Sequence, residues 1–255
     1  MSGVHRRVVL VSIAALAAPF PAYSGSPEEC NVNDDEGGAA IARYAADRAG
    51  KRPAALVLHG NRGVELSPVP TSTTPTRWPL VALTPISSAI SRLKTIRRSI
   101  PKRAHRKAAM PIPQDAMRWT KRTSSVVTAI LEPPDSLSRI GLLGFSLGGY
   151  LAADAAAHDH RAAAVAVMYG GMPDAMVAQV KHMPPLIELH GEADRSVPLA
   201  KEEELVKLAR AVGAQAEQVT YPSREHGFDF SDTDPVTADA VGRVIRFFQE
   251  HLLAR

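Results

Sequence analysis

The chain has 255 residues, 45% of them apolar, which suffices for one α/β domain with a single core. Its formal net charge of +4 is local, because residues 66–114 hold nine of the 30 Lys and Arg residues and no Asp or Glu. The remaining residues carry 21 basic and 26 acidic side chains, which argues against a globally basic, nucleic-acid-binding protein.

The first 24 residues have the pattern of a secretory signal peptide. A basic stretch, His5–Arg7, precedes an apolar run over residues 8–18, and small residues follow up to a cleavage point before Gly25. The apolar run is too short to span a bilayer as a helix. The sequence therefore predicts a signal peptide over 1–24 and a periplasmic or secreted domain over 25–255, with no stable membrane anchor after cleavage.

Strand-like and helix-like runs alternate along most of the chain. In order, the patterns predict a helix over 38–49, a strand over 54–58, a weak strand over 80–83, a helix over 116–131, a strand over 139–143, a helix over 147–157, a strand over 162–168, a helix over 174–181, a strand over 185–189, a helix over 199–212, a strand over 216–221 and a helix over 235–253. This alternation indicates an α/β fold with a doubly wound, mostly parallel sheet in three α/β/α layers.

The segment over residues 66–114 has an anomalous composition, with eight of the chain's 20 prolines and no acidic residue. One interpretation is a solvated, poorly packed insertion. A second is an anion- or membrane-surface patch over residues 92–107. A third, which we favour, is a pair of compensating frameshifts, because the segment has the right length for a helix, a strand and a second helix but the wrong composition.

A G-x-S-x-G motif lies between a predicted strand and a predicted helix. Gly144, Ser146 and Gly148 follow the apolar run over residues 139–143 and precede an Ala-rich helical stretch. This is the context of a nucleophile elbow, in which small residues let the backbone crowd around an exposed serine. The motif alone is weak evidence for a catalytic serine, since a Gly-rich turn with a capping serine can match the same pattern.

Two further polar residues follow predicted strands C-terminal to Ser146. Asp194 lies after the strand over 185–189, and His226 lies after the strand over 216–221. The order Ser146, Asp194, His226 is that of α/β-hydrolases and differs from the chymotrypsin and subtilisin orders. Open parallel sheets place their active sites at these strand ends. The spacing predicts a triad in which His226 is the base and Asp194 orients it.

An oxyanion hole needs two N–H donors, one after the nucleophile and one from the loop after an early strand. Leu147 follows the serine, and Asn61 lies in the loop after the strand over 54–58. We therefore expect the backbone amides of Leu147 and Asn61 to form the oxyanion hole.

The motifs LVLHGNRG, GLLGFSLGG, HGEADRSVP and REHGF resemble those of the α/β-hydrolase superfamily, and of its dienelactone hydrolase-like group in particular. The resemblance covers residues 54–63 and about 138–252. It implies an α/β-hydrolase fold and no cofactor. The namesake enzymes use a cysteine nucleophile, whereas this chain has Ser146, which favours a serine esterase.

These observations predict a serine hydrolase that cleaves an ester, thioester or lactone of a small molecule. Acyl transfer and peptide cleavage use the same triad and stay open. The alternative from another class is a non-catalytic or damaged hydrolase-like scaffold whose basic segment binds anions or partners. No metal site is predicted, since the histidines and acids lack HExxH or CxxC spacing. His190 is expected to shape a loop. The sequence does not indicate the oligomeric state.

Overall fold

The computed structural model describes residues 28–32, 39–43, 52–58, 60, 81–85, 121, 123–125, 127, 137–229 and 233–253. Its elements are β1 (Glu28–Val32), β2 (Ala39–Arg43), β3 (Arg52–Leu58), β4 (Val81–Pro85), β5 (Leu137–Phe145), α1 (Leu147–His158), β6 (Ala162–Met168), α2 (Asp174–Val177), β7 (Leu186–Gly191), α3 (Ala200–Ala211), β8 (Ala216–Tyr221) and α4 (Pro235–Leu253).

The eight strands form one sheet in the order β1-β2-β4-β3-β5-β6-β7-β8. Strands β3, β5, β6, β7 and β8 are parallel to their neighbours in that run. At the other side, β4 is antiparallel to β3, β2 is parallel to β4, and β1 is antiparallel to β2. The mostly parallel α/β fold class is therefore confirmed, with the reversed strands confined to one edge region.

The central strands are apolar on both faces because helices cover both faces of the sheet. Alternate residues of β5 enter different cores: Leu142 packs with α1 and α3, whereas Leu143 packs with α4. Gly141 leaves room for α4, since a Cβ there would lie 2.6 Å from the Phe248 ring. Two cores on opposite faces of one sheet give the three layers that the sequence predicted.

Most predicted elements of the C-terminal half are confirmed, and β6, β8 and α4 have the predicted boundaries. The weak strand predicted over 80–83 is present as β4. The described residues of the helix predicted over 116–131 are helical, and Val127 is fully buried. In the part of the chain that the structure describes, no helix is both long and apolar enough to cross a membrane.

The helix predicted over 38–49 is wrong where the structure describes it, because Ala39–Arg43 is strand β2. Its Ala-rich sequence favours a helix locally, but β2 is hydrogen-bonded to β1 on one side and to β4 on the other. Such non-local pairing overrides local propensity. The predicted signal peptide, and residues 66–114 apart from β4, lie outside the described residues.

Candidate active site

Ser146 occupies the tight turn between β5 and α1, with φ 53° and ψ −119°. A positive φ is strained for a residue with a side chain and is tolerated where the surroundings hold it. Here the Ser146 N–H donates to Met168 O at 2.9 Å, and the Gly149 N–H donates to Ser146 O at 2.8 Å. The predicted strand, turn and helix around Ser146 are present, and they hold the serine at the carboxyl end of β5.

The structure brings Ser146, Asp194 and His226 together, although they are far apart in the chain. The Ser146 Oγ lies 2.9 Å from His226 Nε2, and His226 Nδ1 lies 2.6 Å from Asp194 Oδ2. Asp194 follows β7 and His226 follows β8, so the ends of neighbouring parallel strands place these side chains beside the turn after β5. The three groups form one continuous chain of hydrogen bonds.

Asp194 is held in its ionised form by donors on several sides. Its Oδ1 accepts the backbone N–H groups of Ser196 at 2.7 Å and Val197 at 2.9 Å. Burial alone would raise the pKa of this carboxyl group, but hydrogen bonds from His190, His226 and the Val197 N–H outweigh burial and hold its pKa well below the usual range. The carboxylate therefore accepts the Nδ1 proton of His226 and fixes the ring's tautomer.

Aromatic packing adds a second constraint on the orientation of His226. The Tyr169 ring lies edge-on to the imidazole, with 4.7 Å between ring centroids. The Tyr169 hydroxyl donates to Asp229 Oδ1 at 2.9 Å. Because Asp229 lies three residues after the histidine, this contact ties the histidine loop to the end of β6. The side chain of His226 is still 24% exposed, so a substrate can reach it.

The structure describes one of the two residues expected to form the oxyanion hole. Leu147 is the first residue of α1, where N–H groups have no acceptor within the helix. Asn61 lies outside the described residues. Its neighbour Gly60 is described, and a Cβ there would lie 3.2 Å from the Ser146 Cβ and 3.8 Å from the Ser146 Oγ. The loop after β3 therefore passes directly beside the serine, and a side chain at residue 60 would crowd it.

A buried cluster behind Asp194 was not found by sequence reasoning. Glu188, His190 and Glu202 are fully buried, and one candidate ligand atom of each lies within 4.8 Å of the others. Both nitrogens of His190 already face hydrogen-bond partners, Glu188 at 3.1 Å and Val197 O at 3.0 Å. We therefore interpret the cluster as a hydrogen-bonded network. The missed signal was Glu188 itself, a charged residue inside an otherwise apolar strand.

The model of the dienelactone hydrolase family matches residues 41–252. The chain belongs to the dienelactone hydrolase family. As a member of that family it is an α/β-hydrolase that acts on ester-type bonds. Comparison with curated protein sequences finds no significant match.

Solved structures with the same fold include esterases and thioesterases. A protein of Klebsiella pneumoniae assigned as a dienelactone hydrolase has a TM-score of 0.57 at 18% identity, covering 88% of this chain and 98% of its own. A truncated carbohydrate esterase from gut microbiota has a TM-score of 0.55 at 16% identity, covering 91% and 98%. Acyl-protein thioesterase 2 of Zea mays has a TM-score of 0.51 at 19% identity, covering 82% and 97%. At these levels of sequence identity, the structural similarity establishes the fold alone.

Proposed function

We propose that this dienelactone hydrolase family member is a serine hydrolase that cleaves an ester, thioester or lactone of a small molecule with Ser146, His226 and Asp194. The observation that carries the proposal is the hydrogen-bond chain of 2.9 Å and 2.6 Å that joins the three side chains. The names of the structural neighbours, an esterase and a thioesterase among them, support the same bond class.

In the acylation step, the Ser146 Oγ attacks the carbonyl carbon of the substrate while its proton moves to His226 Nε2. Asp194 stabilises the imidazolium that forms, because its carboxylate faces Nδ1. The bond between the carbonyl carbon and the leaving oxygen or sulfur then breaks, and the leaving group takes the proton from Nε2. The product of this step is an ester between the acyl group and Ser146.

In the deacylation step, a water molecule gives a proton to His226 Nε2 and attacks the acyl carbon. Collapse of the tetrahedral intermediate releases the acid and returns the proton to the Ser146 Oγ. In both steps the intermediate carries an oxyanion, for which the Leu147 and Asn61 amides are the proposed donors. One such donor contributes roughly 3–4 kcal/mol to stabilising the transition state. Apart from the attacking water, the chain's own residues are proposed to supply every group in this scheme.

We also propose that the enzyme works outside the cytoplasm, because residues 1–24 have the charge and apolar pattern of a signal peptide. Expression of the full chain in a Gram-negative host, followed by fractionation and N-terminal sequencing, tests this. A mature chain that begins at Gly25 in the periplasm or medium is expected, whereas an uncleaved chain in the cytoplasm would contradict the localisation.

The triad is tested by labelling the purified protein with a fluorophosphonate, which reacts with activated serines. We expect one adduct on Ser146, absent in Ser146→Ala and slowed at least about 1,000-fold in His226→Ala. Ser196→Ala is the matched control, since that serine holds Asp194 through its backbone N–H, and its labelling rate should match the wild type.

Hydrolysis of p-nitrophenyl acetate should follow the same pattern across these variants. Activity retained in Ser146→Ala would disprove the proposed nucleophile. No adduct in a wild-type sample whose circular dichroism shows a folded α/β protein would instead favour a non-catalytic scaffold.

A further inference from the structure

We propose that Glu188, His190 and Glu202 form a buried proton-sharing network that positions Asp194 and sets the pH below which the hydrolase loses activity. This inference rests on the proposed triad. The network lies on β7 and α3, and His190 connects it to Asp194; the sequence patterns gave it no catalytic role. Its hydrogen bonds run to Asp194 and its surroundings rather than to Ser146 or His226, so its members act as positioning residues.

His190 is the link between the network and Asp194. It is fully buried, and its Nε2 lies 3.0 Å from Val197 O. A carbonyl oxygen only accepts hydrogen bonds, so Nε2 carries a hydrogen. The same nitrogen lies 3.4 Å from Asp194 Oδ2, the oxygen that also accepts from His226. Two imidazoles therefore approach one carboxylate oxygen, and both stabilise the ionised form of Asp194.

The other ring nitrogen of His190 faces a carboxyl group. Its Nδ1 lies 3.1 Å from Glu188 Oε1, and the Gly170 N–H donates to the same oxygen at 3.2 Å. Because Glu188 Oε1 already acts as a hydrogen-bond acceptor, the favourable partner for it is an N–H at Nδ1 of His190. His190 then carries hydrogens on both nitrogens and is a cation beside Asp194.

Glu188 and Glu202 share the remaining proton. Glu202 Oε2 accepts from the Thr220 hydroxyl at 3.1 Å. Glu188 Oε2 and Glu202 Oε1 are both buried, and the structure gives neither a hydrogen-bond partner within its described part. Two buried oxygens without donors are costly. The two carboxyl groups are neighbours, and a side-chain hydrogen bond with Glu202 raises the pKa of Glu188. One proton held between them satisfies both groups and avoids two adjacent buried charges.

The pKa shifts of Glu188 and His190 agree with this arrangement. Burial raises the pKa of Glu188 to about 8, and Glu202 on α3 adds to the rise, while His190 opposes it. Burial lowers the pKa of His190, but its bonds to Asp194 and Glu188 outweigh this and raise it to about 10. Among the described residues, Tyr150 on α1 also interacts electrostatically with Glu188, and His226 after β8 interacts with Asp194.

A cation at His190 offsets part of the negative charge of Asp194. Less net negative charge beside the triad makes the uptake of a proton by the triad less favourable, and the triad is inactive once it has taken up that proton. The network therefore extends the activity of the hydrolase toward acidic pH.

The first test is the pH profile of kcat/KM for p-nitrophenyl acetate in the full-length folded protein. His190→Gln keeps a neutral donor near Val197 O and removes the cation. We expect its acidic limb to shift upward by about 0.5 to 1 pH unit. His158→Asn is the matched control, because His158 also pairs with a buried aspartate four residues away, Asp154 at 3.2 Å. Its acidic limb should not move.

The outcomes separate this inference from the proposed function. An unshifted limb in His190→Gln, in protein that still labels at Ser146, would overturn the network's role and leave the triad intact. Failure of the wild type to label at Ser146 would overturn the triad instead. Nitrogen NMR of histidine-labelled wild type reads His190 directly: hydrogens on both ring nitrogens at neutral pH support the network, and a hydrogen on one nitrogen overturns it.

The shared proton has its own test. Glu188→Gln supplies the missing hydrogen through its amide, so we expect a melting temperature at neutral pH at least as high as that of the wild type. Glu188→Leu removes the acceptor for His190 and should melt lower. A stoichiometric metal ion in the purified wild type, lost in Glu202→Gln, would overturn the shared proton, because a cation would then occupy its place.

Discussion

Strained single residues mark the carboxyl end of the sheet. Among the described residues, the non-glycine positions with positive φ are Ser146, Tyr169 and Ser223. They follow β5, β6 and β8 directly or within two residues. Such backbone costs of order 1–3 kcal/mol each persist where the surroundings impose them, often at functional sites. Two of these positions, Ser146 and Tyr169, contact His226, so backbone strain is concentrated where the site is held.

Tyr169→Phe tests the bond between the strained tyrosine and the histidine loop. The variant keeps the ring against His226 and loses the hydrogen bond to Asp229. We expect the free energy of unfolding to fall by about 1–2 kcal/mol and kcat/KM to fall several-fold, because the loop that carries His226 is held less firmly. Urea denaturation and ester hydrolysis measure the two effects.

Tyr221→Phe is the control for that prediction, since its hydroxyl donates to Asp239 at 2.8 Å on α4 rather than to the histidine loop. Its kcat/KM should stay close to the wild-type value. Equal losses of activity in the two variants would show that the Tyr169 bond has no specific role in holding His226.

At the scale of elements, the approach of α1 to β5 is what presents Ser146. The first turn of α1 packs against the end of β5 so closely that a Cβ on Gly144 would lie 2.1 Å from Gly148 O. That atom belongs to the backbone of the helix and cannot move without displacing the turn. The glycine is therefore required by the geometry of the elbow.

Gly144→Ala should consequently destabilise the protein by at least about 3 kcal/mol or prevent folding, because overpacking against backbone is not relieved by a rotamer change. Gly213→Ala is the matched control: this glycine has φ 85°, and a Cβ added to it would meet no heavy atom within 4 Å. Its cost should be about 1 kcal/mol, from the backbone alone. Similar midpoints of urea denaturation for the two variants would contradict this account.

At the scale of the whole molecule, buried ionisable groups make the free energy of unfolding depend on pH. Glu188 and His190 have raised pKa values in the folded state, about 8 and about 10. The stability they contribute is present below their unfolded values of about 4.3 and 6.5 and is lost as the pH rises through the folded values. Asp194 acts oppositely, since its lowered pKa gives stability that is lost as the pH falls.

We therefore expect the wild type to be most stable at weakly acidic pH and to lose several kcal/mol toward alkaline pH, since each pKa unit corresponds to about 1.4 kcal/mol. Glu188→Gln cannot ionise, so its stability should fall less steeply between about pH 5 and 9. Urea denaturation at a series of pH values measures both slopes. Parallel curves for the two proteins would show that Glu188 does not titrate in this range.

Local sequence was enough to place the catalytic candidates. The patterns around Ser146, Asp194 and His226 place each residue just after a strand, and parallel strands end at one edge of a sheet. The boundaries of β6 and α4 were also readable, because one is a continuous apolar run and the other an amphipathic run. Those of β8 were readable from the glycine before it and the proline after it. Membership of an α/β-hydrolase family followed from the same short motifs.

Only the tertiary structure decided which residues support those candidates. Glu202 lies in the first turn of α3, where an acidic side chain is usually solvated, yet it is fully buried. His190 was expected to shape a loop, yet it contacts Asp194. Residues 39–43 look helical and form a strand. Propensity and periodicity depend on near neighbours in the chain, whereas burial, strand pairing and shared protons depend on distant segments that meet only when the sheet and helices assemble.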